Sequence, residues 1–198
     1  MKLGLDCDDV LADFVEGLPA VYNQRYGTSY SVRDFSPDFV HLQQVLGEQG
    51  YKNLEEMFLD ELYVLEISPV PGAVEGVAAL QNSGVELYVI TNRVVAKNMD
   101  VNRKLTEKWL GKHFAGAFME VIYAKATGRK KGEICRERDI TLLVDDSFPN
   151  VLSVNEVGIP ALLYDRHWNK EVPEGALVKR VKDWGEVVRE VEKILQKD

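Results

Sequence analysis

Asp6, Asp8, Asp9 and Asp13 fall within eight consecutive positions, directly after the run Lys2-Leu3-Gly4-Leu5. Carboxylates crowded at the end of a buried strand repel one another, and burying each one unpaired costs on the order of several kcal/mol. A divalent cation, with its preference for oxygen ligands, or a helix N-terminus would offset that charge. One carboxylate is explained as the cap of a helix expected from Val10; four in eight positions are not. Two more polar groups follow apolar runs: Thr91-Asn92-Arg93 after residues 85–90, and Asp145-Asp146 after residues 140–144. A basic run, Arg129-Lys130-Lys131, opens the helix expected before Asp145 and can direct one lysine toward the acids. Jointly these residue types describe metal-assisted phosphoryl transfer, in which an anionic nucleophile meets an anionic substrate under local cations.

Five short apolar runs read as strands, at residues 2–5, 85–90, 120–123, 140–144 and 161–164. Helices are expected between them over 73–83, 96–110 (stopped by Gly111), 130–137 and 149–157, with a final amphipathic helix carrying Trp184, Val187, Val188, Val191, Ile194 and Leu195. Strands buried on both faces and alternating with helices mean an α/β fold with a doubly wound parallel sheet. Ligands of such sheets bind outside the carboxyl ends of the strands, where all three polar groups fall. A helix is expected over 10–25, with Pro19 as a candidate kink, and Ser36-Pro37-Asp38 reads as another helix start. Residues 15–68 hold no strand pattern but carry helical apolar faces and dense aromatics, and Pro69-Val70-Pro71-Gly72 closes the stretch. The expected organisation is therefore a core of residues 1–14 and 69–198 with a small helical cap at 15–68 inserted after the first strand.

At 198 residues the chain suits one domain with such an insertion. Its net charge of −8 argues against nucleic-acid polymers and anionic membranes as partners, because both require a basic field. A small phosphorylated substrate remains compatible, since a metal and a few local cations reverse the potential inside a cleft. No leader or membrane-spanning pattern is visible, and Cys7 and Cys135 have no metal-ligand spacing, so reduced thiols and a cytoplasmic location are expected. His41, His113 and His167 lack ligand spacing and need no catalytic role.

Asp6-Cys7-Asp8-Asp9-Val10-Leu11-Ala12-Asp13-Phe14 resembles the first motif of the haloacid dehalogenase (HAD) superfamily of phosphohydrolases. Within it, the chain is most similar to the 5′-nucleotidase branch, the cytosolic and mitochondrial 5′(3′)-deoxyribonucleotidases and their bacterial and archaeal relatives. Thr91 resembles the second motif, a basic residue near Lys131 the third, and Leu142-Leu143-Val144-Asp145-Asp146-Ser147 the fourth. The likeness spans almost the whole core and is weak through the cap. Asp9, where the branch usually carries Gly, and Asn92-Arg93, in place of its usual Ser-Pro, depart from the pattern.

The resemblance implies a five-stranded HAD-like core ordered 5-4-1-2-3. It makes Asp6 the nucleophile, giving an aspartyl-phosphate, and Asp8 the general acid and base. Mg²⁺ would be held by Asp6, the Asp8 backbone carbonyl and Asp145, with Asp146 nearby. Thr91 and the Asn92 amide would hold phosphoryl oxygens, and Lys131, chosen over Lys125 and Lys130, would neutralise them. With Arg93, and with Phe14 as pocket wall, these residues complete the expected substrate-binding set. Arg166-His167-Trp168-Asn169 reads equally well as a substrate contact or a polar loop, and Asp13 as structural. The expected activity is that of a Mg²⁺-dependent phosphatase, foremost a 5′-nucleotidase for nucleoside monophosphates. Alternatives are a phosphatase for a sugar or amino-acid phosphate, a phosphoryl-accepting signalling module and a non-catalytic binding relative; a homodimer is compatible with all.

Overall fold

The computed structural model of the protein describes residues 1–36, 39–93 and 98–196. The central strand β1 (Lys2–Leu5) pairs in parallel with β2 (Glu86–Thr91) on one side and β4 (Leu142–Asp145) on the other. β3 (Glu120–Tyr123) lies outside β2, and β5 (Ala161–Tyr164) outside β4. Leu3, Leu5, Val89, Ile90, Leu143 and Val144 are wholly buried, as expected of strands covered on both faces. A Cβ on Gly4 would come within 3.1 Å of both Ile90 and Leu143, so this strand fits closely between its neighbours.

The sheet has six strands, not five. β6 (Val178–Val181) pairs with β5 at the edge, giving the order β3-β2-β1-β4-β5-β6. It escapes a search for apolar runs because Lys179 and Arg180 occupy its middle, a charged composition typical of edge strands.

Five helices follow the expected alternation, α4 (Ala73–Asn82), α5 (Met99–Phe114), α7 (Lys131–Glu137), α8 (Phe148–Asn155) and α9 (Trp184–Leu195), and a short α6 (Ala124–Thr127) that was not expected follows β3 directly. The stop expected at Gly111 does not occur; α5 runs through it and buries Phe114. The start of that expected helix, residues 96–97, lies outside the described residues, as do Pro37 and Asp38. Asp183 caps α9 by accepting the Glu186 N–H at 2.8 Å, and Trp184 Nε1 donates to the Val10 carbonyl at 2.8 Å. The last helix is thereby tied to the loop that follows β1.

That loop replaces the first turn of the helix expected from Val10. Leu11 and Ala12 N–H groups donate to the Cys7 carbonyl at 3.0 and 2.8 Å, and α1 (Phe14–Tyr26) begins four residues later than expected. Pro19 lies inside α1 without ending it. Outgoing and returning segments run side by side: Asp13 N–H donates to Ser68 O and Val70 N–H to Leu11 O, each at 2.8 Å. Between them lie α1, α2 (Phe39–Met57, kinked at Gly47) and α3 (Glu61–Glu66). Tyr22 and Phe35 are buried, 6.0 Å apart, and Tyr22 Oη donates to the Gly50 carbonyl at 2.8 Å; these aromatics form a local core. Cys7 and Cys135 are buried free thiols. Among the described residues no helix is long and apolar enough to cross a membrane.

α7 packs against α8 through Gly132, where a Cβ would lie 1.9 Å from the Ser153 carbonyl oxygen. Because a backbone atom cannot rotate away, Gly132→Ala is expected to destabilise the protein by about 3 kcal/mol. Gly17→Ala, in an open position of α1, should stabilise it by about 0.5–1 kcal/mol. Chemical denaturation of both variants checks this opposition of sign.

Candidate active site

The carboxyl ends of β1, β2 and β4 meet at one cavity of about 130 Å³. Asp6, Asp8, Asn92, Arg93, Asp146 and Phe14 line it; Thr91, Lys131 and Asp145 lie behind its wall. Asp6 follows β1 immediately, and its own N–H donates to Val144 O at 2.9 Å, which locks the residue to the adjacent strand.

Of the three lysines within range, Lys131 alone reaches the acids. Its Nζ lies 2.9 Å from Asp6 Oδ1 and donates to Asp145 Oδ2 at 2.7 Å. Lys130 pairs with Glu156 instead, and Lys125 is exposed. Burial opposes the charge on Lys131, but Asp145 and Asp6 outweigh it and hold the ammonium well above its ordinary value. Burial raises the Asp6 carboxyl to about 7, Lys131 working against the shift and Asp145 with it. Asp146 is also pushed far up, by burial and then by Asp145, Asp9 and Asp6.

Asp6, Asp145 and Asp146 offer carboxylate oxygens that all lie within 4.8 Å of one another. Were all three ionised, one ammonium would leave two negative charges where water is largely excluded, and the raised carboxyls of Asp6 and Asp146 reflect that cost. An all-oxygen donor set with that surplus fits a hard divalent cation. Both oxygens of Asp145 are already engaged: Oδ1 accepts Ser147 N–H at 2.9 Å and Asn150 Nδ2 at 3.0 Å, and Oδ2 accepts Lys131. Asp146 is the member of the pair that borders the cavity.

The other expected residues take varied places. Arg93 Nε donates to both Asp8 oxygens, at 3.0 and 3.1 Å, and a second guanidinium nitrogen also donates to Oδ1, so Arg93 clamps Asp8. Thr91 is fully buried and its Oγ1 accepts the Arg93 N–H at 3.0 Å. Asn92 Nδ2 donates to Asn150 Oδ1 at 3.3 Å. Phe14 stacks on Phe58 with ring centroids 4.7 Å apart, and both rings line the cavity. Asp9 has φ of 58°, the left-handed region in which Asp is tolerated among non-glycine residues; its Oδ1 accepts the Val15 N–H at 2.9 Å. Asp13 lies 3.8 Å from Arg166.

The Arg166-His167-Trp168-Asn169 stretch, open in the sequence between a substrate contact and a polar loop, bonds the acidic loops, and Arg180, which had no distinct signal, supports it. Arg166 donates twice to the Asp9 carbonyl, at 3.0 and 2.7 Å. Trp168 Nε1 donates to Asp146 Oδ2 at 2.9 Å, and Asn169 Nδ2 to the Asp146 carbonyl at 2.8 Å. Arg180, on the edge strand, holds Asn169 Oδ1 at 2.8 Å. His167 meets the Phe35 carbonyl at 3.1 Å, linking the post-β5 loop to the helical insertion. The turn after β5 therefore supports the acids from behind.

Residues 1–196 match the family described as 5′ nucleotidase, deoxy (pyrimidine), cytosolic type C protein. The chain belongs to this family. A protein of Oceanobacillus iheyensis, provisionally named a nucleotidase, is 27% identical over 188 residues, 93% of this chain and 95% of that one. Among solved structures, a HAD-superfamily hydrolase of Geobacter sulfurreducens superposes with a TM-score of 0.62 at 20% identity, covering 96% of this chain and 95% of that one. A HAD-family hydrolase of Deinococcus radiodurans, solved with bound phosphate and sodium, gives 0.61 at 15% identity, covering 97% and 95%. The six-stranded sheet is thus the HAD hydrolase fold, and the protein is a nucleotidase-family phosphoric monoester hydrolase.

Removing Lys131 strands two buried carboxylates. Lys131→Met should cost about 3–5 kcal/mol in the metal-free protein, whereas Lys125→Met should cost less than about 1 kcal/mol, as exposed charges do. Thermal and denaturant unfolding of the two variants measures the difference.

Proposed function

We propose that the protein hydrolyses a nucleoside monophosphate with the help of Mg²⁺, through phosphorylation of Asp6. The observation that carries the reading is the meeting of Asp6, Asp8 and Asp146 on one cavity wall in a chain of this family. In this reading an Asp6 carboxylate oxygen attacks phosphorus as the bond to the leaving oxygen breaks, and Asp8 gives that oxygen a proton. Asp8 then takes a proton from water, whose oxygen attacks the acyl phosphate; the bond between phosphorus and Asp6 breaks and orthophosphate leaves. Arg93 orients the resting Asp8 carboxylate; Asp8 enters the first step with a proton taken up from solvent or substrate and is protonated again when it takes one from the attacking water.

Asp6, Asp146 and the Asp8 backbone carbonyl would hold the Mg²⁺, with Asp145 positioning Lys131 rather than binding the ion. When bound, Mg²⁺ supplies positive charge between the anionic nucleophile and the anionic ester. Thr91, the Asn92 amide and Lys131 would receive phosphoryl oxygens. Residues 15–68 would act as a cap over the site. Phe14, Phe58, Leu42 and Leu54 give the outer cavity an apolar wall suited to a planar base.

Asp6→Asn should lower turnover of an aryl phosphate by about 10³-fold or more without loss of fold. Activity close to wild type in that variant would refute the nucleophile assignment. Chelator should silence the wild type and Mg²⁺ should restore it. Across a panel, nucleoside monophosphates should exceed sugar and amino-acid phosphates in kcat/KM; the reverse order would move the substrate to the alternative class.

A further inference from the structure

Asn150 joins three segments around the acidic cluster and has no part in the chemistry assigned to Asp6, Asp8 and Lys131. It stands in the first turn of α8, where its N–H donates to the Ser147 carbonyl at 3.1 Å. Its Nδ2 donates to Asp145 Oδ1 at 3.0 Å and its Oδ1 accepts from Asn92 Nδ2 at 3.3 Å. The side chain thus spans from the end of β4 to the loop after β2. Its carbonyl accepts the Ser153 hydroxyl at 2.8 Å, and Ser153 Oγ accepts the Gly132 N–H at 3.2 Å. Gly132 is the residue after Lys131 at the start of α7.

The polarity of this chain of bonds is fixed from one end. Asp145 Oδ1 also accepts the Ser147 N–H, so it meets Asn150 as an acceptor. Asn150 must therefore turn its NH₂ group to Asp145 and its oxygen to Asn92. Asn92 can answer that oxygen only with its own NH₂ group. A leucine at position 150 would fill similar space but end the chain. Lys131 Nζ donates to the other Asp145 oxygen at 2.7 Å, so an unbroken connection runs from the lysine through Asp145 and Asn150 to Asn92.

We propose that Asn150 is a positioning residue: it sets the loop of Thr91 and Asn92 against the Asp145–Lys131 pair, so that the Asn92 amide and the Lys131 ammonium meet the same phosphoryl group. This rests on the phosphatase reading of the cavity and adds to it a residue that acts through its neighbours. An error in that spacing falls on the transition state, whose developing charge needs both donors at once, and a displacement of about 1 Å costs about 100-fold.

The test is steady-state kinetics with p-nitrophenyl phosphate across a Mg²⁺ titration, on Asn150→Leu, Asn92→Ala and the double variant. Asn150→Leu should lower kcat by about 30–100-fold and Asn92→Ala by about 10-fold or more, each with KM within about threefold of wild type. The double variant should fall no more than about twofold below Asn150→Leu, because both substitutions break one connection. Losses that multiply would overturn the proposal, as would a loss confined to KM. A loss that higher Mg²⁺ abolishes would assign Asn150 to the metal site instead and overturn it too. A merely structural Asn150 would lower the melting temperature and leave kcat per folded molecule unchanged, again against the proposal. Asn92→Ala decides even if Asn150→Leu fails to fold: its backbone amide is intact, and kcat within about twofold of wild type overturns the proposal. Absence of turnover by the wild type overturns the proposed function itself, and the positioning role falls with it.

Discussion

The Lys131 ammonium, buried between Asp6 and Asp145, is the interaction on which the arrangement at the sheet's edge depends. Without it the first and fourth strands would end in facing buried carboxylates, an arrangement a marginally stable domain cannot sustain. With it, one charge of the cluster is balanced, while burial and the neighbouring acids push the Asp6 and Asp146 carboxyls toward their neutral forms. A divalent cation held there, as proposed, would favour the ionised forms. The same balance keeps Asp145 occupied with protein donors and leaves Asp146 to face the cavity.

Holding this geometry takes contacts from distant parts of the chain. Trp184 from the last helix and Arg166 from the turn after β5 bond the carbonyls of Val10 and Asp9. Between them they fix the loop that carries Asp8 and Asp9 away from β1. Trp168 and Asn169 hold Asp146, and Arg180 on β6 holds Asn169. The edge strand thus connects to the acidic cluster through a short relay of hydrogen bonds. The chain enters and leaves the helical insertion through the paired backbone at Ala12 and Pro69, directly beside the loop.

Much of this was legible in the residues alone. The apolar runs that became β1 to β5 announce a parallel sheet because both faces are buried, and the acids stand out because charge at a buried strand end needs compensation. What stayed hidden has physical reasons. Val178-Lys179-Arg180-Val181 looks like a polar loop because an edge strand shows half its residues to solvent. The delayed start of α1 follows from the Cys7–Ala12 turn, whose backbone bonds leave no compositional trace. Trp168 and Asn169 sit in a turn whose polar residues are plain in the sequence, but their partners Asp146 and Arg180 belong to other elements, and no local pattern encodes such pairings. Conversely, the choice of Lys131 among three neighbours reduces to helix phase: it opens α7 on the buried side, whereas Lys130 points to Glu156.

The central claim is that Asp6 carries the phosphoryl group during turnover. Acid quenching of the working enzyme with substrate labelled on phosphorus, followed by tryptic digestion, tests it most directly. The account predicts label on the peptide spanning residues 3–25, lost on treatment with hydroxylamine as an acyl phosphate is, and absent from Asp6→Asn. Turnover without label on that peptide, or label that persists in Asp6→Asn, would contradict it.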